Sequence, residues 1–167
     1  VTVGFFPGST IGNFTPPEAV AFLARARRLL GRGSAMLVGT DVPKDRATLE
    51  AAYDDAAGVT AAFNRNILVR MQRELGAELD LDGFRHEARW CPLRRRVEMH
   101  LVSLSRQAIR IGPDRFTLDR GETIHTENSY KYAVPEFRAL ASRSGWLPAR
   151  TWTDDRGRFA VHLLRSG

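Results

Sequence analysis

This 167-residue sequence predicts an α/β fold interrupted by an α+β segment, on three observations. The chain opens as strand, loop, helix, strand, and both strands are continuously apolar, the mark of a buried parallel crossover. After Trp90 the apolar period falls from helical to two. Beyond Tyr132 a helix and two strands return, so the α+β part sits inside an α/β frame.

Residues 1–6 are the first strand, and the chain starts inside this apolar run as if cut from a longer protein. Pro7-Gly8-Ser9-Thr10-Ile11-Gly12-Asn13 is a loop of small, turn-forming residues. Thr15, Pro16 and Glu18 mark a helix start. Val20, Leu23, Ala24 and Leu30 line its inner face, and Gly31 and Gly33 stop it. Residues 35–39 form the second strand, with Asp41 just past its end. Ligands of such sheets lie beyond the carboxyl ends of the strands, where the loop over residues 8–13 and Asp41 both fall.

Residues 45–55 and 58–75 read as helices, the second with an inward stripe of Phe63, Ile67, Leu68, Met71 and Leu75. Asp80 and Asp82 look like turn and cap residues. In residues 96–103, Arg96, Glu98, His100 and Val102 alternate with Val97, Met99, Leu101 and Ser103. Residues 107–111, 115–118 and 122–129 continue an antiparallel meander. Residues 134–144 form a helix with Phe137, Leu140 and Ala141 inward. Residues 146–153 and 159–164 are strands joined by a hairpin at Asp154-Asp155-Arg156-Gly157-Arg158.

Composition excludes several classes. The single cysteine, Cys91, rules out a disulfide framework and reads as an inert thiol. No apolar run approaches the ~18 residues of a membrane span, and no signal-peptide pattern is present, so no membrane role and a cytoplasmic location are expected. The net charge of +6 comes almost wholly from arginine, Lys44 and Lys131 being the only lysines. The arginines are scattered, which fits a solvated surface and not a nucleic-acid partner. The four histidines lack HxH or HxxxH spacing, so no metal is assigned.

Three segments could carry chemistry. The loop over residues 8–13 offers backbone N–H groups, two hydroxyls and an amide at the ligand edge, or is an ordinary turn. Tyr53-Asp54-Asp55 precedes a helix, and capping explains the Asp pair better than metal binding. Tyr53 either packs or holds a ligand carboxylate. On a regular strand His125, Glu127 and Ser129 share a face, as a hydrogen-bonding pocket or as a polar outer surface.

Four ordered motifs resemble one family. They are residues 5–13, the run Tyr53-Asp54-Asp55-Ala56-Ala57-Gly58-Val59-Thr60-Ala61-Ala62-Phe63-Asn64, the pair Glu98-Met99, and residues 122–132. By them the chain resembles the histidine-specific N-alpha-methyltransferases of ergothioneine biosynthesis. The resemblance implies the C-terminal half of a Rossmann-like class I methyltransferase sheet, residues 1–43 and 132–167. It implies an inserted α+β substrate-binding lobe over 44–131. It also implies transfer of three methyl groups from S-adenosylmethionine to the α-amine of L-histidine.

Matched position by position, Asn13 and Tyr53 would hold the backbone end of the amino acid, and Gly8 would lie near its amine. Glu127 and Ser129 would hydrogen-bond the imidazole, and Met99 would pack against it. No catalytic acid or base is implied. The Gly-rich turn and acidic strand end that bind most of the cofactor in this family are absent from these residues, so no cofactor-binding residue is assigned. The alternatives are a related methyltransferase acting on another amine, which should lack the Glu127/Ser129 pair, and a non-catalytic isolated domain. Oligomeric state is not legible.

Overall fold

The computed structural model describes all 167 residues, Val1–Gly167. Its elements are β1 (Val3–Phe6), a 3-10 turn (Thr10–Asn13), α1 (Pro16–Leu30), β2 (Ala35–Asp41), α2 (Arg46–Tyr53), α3 (Val59–Leu75) and β3 (Phe84–Cys91). There follow β4 (Arg96–Ser103), β5 (Gln107–Ile111), β6 (Asp114–Leu118), β7 (Thr123–Tyr130), α4 (Val134–Arg143), β8 (Trp146–Thr153) and β9 (Phe159–Ser166). The strands make a four-stranded sheet β1-β2-β9-β8, a three-stranded sheet β3-β4-β7 and the β5-β6 hairpin.

The chain divides into two compact units. One holds Val1–Asp45, Cys91–Arg96 and Asn128–Gly167, the other Arg46–Trp90 and Val97–Glu127. The short segments 91–96 and 128–131 therefore cluster with the chain ends, whereas the sequence put boundaries at 43/44 and 131/132.

In the first unit β1 and β2 pair in parallel, from Val3 with Ala35 to Phe6 with Val38. β9 runs antiparallel to both β2 and β8. α1 starts as its sequence demands: the Glu18 carboxylate accepts from the Thr15 N–H at 2.8 Å and from the Thr15 hydroxyl at 2.7 Å. The core gathers Ile11, Leu23, Val38, Phe137, Leu140, Trp146 and Leu164. Each such side chain contributes about 1.5–3 kcal/mol on burial. The Trp146 indole N–H also finds an acceptor, the Leu23 carbonyl at 2.8 Å. At the β8–β9 turn the Asp154 carboxylate accepts from the backbone N–H groups of Arg158 and Phe159, which fixes the expected hairpin.

The second unit departs from the sequence reading in three places. β3 was not foreseen: its period of two is written in Phe84, His86 and Ala88 inward against Arg85, Glu87 and Arg89, and the alternating charges hide it. α3 is rotated. Phe63 and Leu75 are largely exposed, while Asn64 and Leu68 are buried. Asn64 turns inward because its amide donates to His86 Nδ1 at 2.9 Å and to the His100 carbonyl at 3.3 Å. Finally, the expected meander is split, since β5 and β6 pair with each other and β4 pairs with β3 and β7.

Candidate functional site

In the first unit the loop after β1 is bent by Gly8 at φ +74 and by Ser9 at φ 61, a left-handed conformation rare outside glycine. The Gly12 N–H closes the turn onto the Ser9 carbonyl at 2.8 Å. Gly12 is required sterically, because a Cβ there would meet the Tyr130 carbonyl oxygen at 2.7 Å and Ser129 Oγ at 3.5 Å. The turn that ends in Asn13 is therefore laid directly against Ser129. Asn13 itself is exposed.

A chain of polar contacts ties this loop to the strand ends. The Asp41 N–H donates to Ser9 Oγ at 2.8 Å. Asp41, expected just past β2, is its last residue. One Asp41 oxygen pairs with Lys44, and the other lies 2.9 Å from Lys131 Nζ. The Lys131 side chain has no exposed surface, and its ammonium also donates to Ser129 Oγ at 2.8 Å. The Tyr132 N–H closes the group onto the Asp41 carbonyl at 3.0 Å. Burial pushes the neighbouring Tyr132 hydroxyl up to about 12, so it stays protonated.

The second unit positions Tyr53, Met99 and Glu127. Tyr53 ends α2 and packs with Leu49, Ala88, Val97 and Trp90. Its carbonyl accepts from His86 Nε2 at 2.7 Å, while His86 Nδ1 receives the Asn64 amide. A carbonyl only accepts, so this pair fixes the His86 tautomer and anchors the end of α2. Asp55 caps α3, accepting from Val59 N–H at 3.1 Å and Thr60 N–H at 2.8 Å. Those bonds, Thr60's foremost, hold its carboxyl down at about 2.

Met99 is buried, and its carbonyl accepts the Thr126 hydroxyl at 3.0 Å. It alternates with Glu98 and His100, which places it on the face of Val97, the residue against which Tyr53 packs. Glu127 is half-buried on β7, two residues before Ser129.

Glu98, His100 and His125 form a cluster the sequence did not show. Their ligand-capable atoms lie within 4.8 Å of one another. The rings of His100 and His125 stack at 4.8 Å, and His100 Nε2 lies 3.3 Å from Glu98 Oε2. Burial lowers the His100 pKa, with Glu98 pulling the other way. These three are the side chains that could hold a metal. Sequence spacing missed them because the two histidines come from different strands. Lys131 was also missed as a site residue, although it lies inside the fourth motif.

The family described as histidine-specific, SAM-dependent methyltransferase matches residues 1–166. The histidine N-alpha-methyltransferase of Mycobacterium tuberculosis is 43% identical over 160 residues, covering 95% of this chain and 50% of that protein. The ergothioneine biosynthesis protein 1 of Neurospora crassa is 29% identical over 171 residues, covering 94% of this chain and 18% of that protein. The chain thus spans half the length, or less, of these curated relatives. Among solved structures, the CcbJ methyltransferase of Streptomyces caelestis matches 99% of this chain and 61% of its own, with a TM-score of 0.52 at 18% identity. That likeness is one of fold.

Proposed function

Because the chain belongs to the histidine-specific, SAM-dependent methyltransferase family, we propose that it is the C-terminal, substrate-binding portion of an enzyme that trimethylates the α-amine of L-histidine. S-adenosylmethionine is the methyl donor, and the reaction belongs to ergothioneine biosynthesis. The enzyme works in the cytoplasm on a small molecule. No helix here is long and apolar enough to cross a membrane.

One observation supports the reading above the others. Gly12 brings the turn carrying Asn13 against Ser129, within 3.5 Å of a Cβ position. The turn that carries a residue suited to an amino acid's backbone end thereby lies beside one suited to its ring. Asn13 and Tyr53 hold the backbone end, Glu127 and Ser129 flank the imidazole, and Met99 packs beside it. Residues 1–43 and 132–167 serve as the methyltransferase part, and 44–131 as the substrate lobe.

The methyl donor supplies an electrophilic methyl group on a sulfonium sulfur. This chain leaves room for close approach: a Cβ at Gly8 would meet nothing nearer than Thr10 Oγ1 at 4.0 Å. What the residues must do is present the unprotonated amine in line with the breaking bond, and alignment supplies most of the rate. Glu127 and Ser129 contribute selection, since a site with buried polar groups strongly rejects rings that leave them unpaired.

The test uses the full-length protein with histidine and the methyl donor. Mass spectrometry should show one, two and then three methyl groups added to histidine. Methylation of tryptophan in preference to histidine would point to the related enzyme acting on another amine.

A further inference from the structure

Glu98, His100 and His125 have no part in the methyl transfer proposed above, and all three lie within one unit, in the segment Val97–Glu127. β4 supplies Glu98 and His100, and β7, its neighbour in the sheet, supplies His125. One ligand-capable atom from each falls within 4.8 Å of the others. Two imidazoles and a carboxylate are the ligand types of a zinc-class ion.

Hydrogen bonding prepares both rings for that use. His125 Nε2 lies 3.1 Å from the Glu127 carbonyl. A carbonyl only accepts, so Nε2 carries the hydrogen and the neutral ring keeps a bare lone pair on Nδ1. His100 Nδ1 lies 3.2 Å from the Thr123 hydroxyl, which can accept from it and leave Nε2 bare. A ring held at one nitrogen by a neighbouring acceptor and bare at the other is the usual state of a ligating histidine. Burial lowers the His100 pKa and so favours the neutral ring, the form that binds metals. The two rings stack at 4.8 Å with 18° between their planes, a pairing that two imidazolium cations would resist.

The spacing of Glu98 and His100 points the same way. Oε2 lies 3.3 Å from Nε2. A charge-assisted N–H···O bond closes to about 2.7–2.9 Å. Two atoms bound to one tetrahedral zinc stand about 3.3–3.4 Å apart, on bonds of about 2.0–2.1 Å. A carboxylate has two oxygens and several lone pairs, so Oε2 can take an ion while Glu98 keeps its other contacts. His125 is exposed and has space to turn onto the ion, and water from that open side takes the fourth position.

We propose that Glu98, His100 and His125 form a site for a zinc-class divalent ion on the β4–β7 strand pair, with Thr123 and the Glu127 carbonyl orienting the two histidines. The site needs neither histidine nor the methyl donor, so its test is separate from that of the methyl transfer.

That test is calorimetric titration of tag-free, chelator-treated full-length protein with zinc ion alone. Wild type should bind zinc saturably. His125→Ala should weaken this binding by roughly 100-fold or more, and Thr123→Val by about 10- to 100-fold, the cost of an unsupported ligand. Because His125 is exposed, its replacement does not disturb the core. Zinc should also shift the ring signals of His100 and His125 in NMR and leave those of His86 and His162 in place. No saturable binding by wild type overturns the proposal. Equal affinity in wild type and His125→Ala puts the ion elsewhere and overturns it too.

Discussion

Asp41 and Lys131 form an ion pair, 2.9 Å between Oδ2 and Nζ, in which the lysine side chain has no exposed surface. It joins the end of β2 to the end of β7, and through Ser9 to the loop after β1. Taking a carboxylate away from a buried ammonium is costly, while the intact pair adds little net stability. Asp41→Ala should therefore destabilise the full-length protein by about 3–5 kcal/mol, read as a fall in the urea midpoint. Asp41→Asn combined with Lys131→Met should recover most of that loss. An Asp41→Ala protein as stable as wild type would show that the pair organises nothing.

Gly12→Ala tests the approach of the loop to Ser129. The added methyl would lie 2.7 Å from a backbone oxygen, and backbone cannot swing aside as a side-chain tip does. The turn must move, at about 1–3 kcal/mol. Histidine KM should rise as Asn13 and Ser129 part. Unchanged stability and KM would contradict this geometry.

His162 gives a pH signature. Its ring is buried between the hydroxyls of Thr40 and Thr151, 3.1 Å from each. Burial, with Arg138 as the lesser cause, holds its pKa at about 4. Between that value and the ordinary ~6.5, the unfolded chain binds a proton that the native protein does not. This contribution to stability is complete above pH ~6.5, falls as the pH drops, and levels off below ~4, for at most about 3 kcal/mol. NMR titration should find the His162 ring neutral at pH ~5.5. A ring half-protonated near pH 6.5 would contradict the burial argument.

Local signals in the sequence located much of the fold. Thr15 and Glu18 spell a helix start, Phe137, Leu140 and Ala141 give the inner face of α4, and Asp154 with Gly157 marks the last hairpin. What escaped depends on partners distant in the chain. α3 turns Asn64 inward only because β3 and β4 present His86 and the His100 carbonyl. β3 itself is masked by its charged Arg85, Glu87 and Arg89.

The site divides the same way. The motif residues Gly8, Asn13, Tyr53, Met99, Glu127 and Ser129 are legible as strings. Lys131 reads as an ordinary charged residue until Asp41 is seen to meet it. The stacking of His100 on His125 likewise exists only once β4 and β7 lie in one sheet.

Whether Glu127 and Ser129 read an imidazole is decided by initial rates with Glu127→Ala in the full-length enzyme. Removing the acceptor leaves a ring N–H unpaired, at about 2–4 kcal/mol or roughly 30- to 1,000-fold in histidine kcat/KM. Tryptophan, which needs no such acceptor, should lose little or gain. The histidine-to-tryptophan ratio is thus predicted to collapse. If Glu127→Ala depresses both substrates equally, Glu127 is structural and the imidazole assignment is wrong.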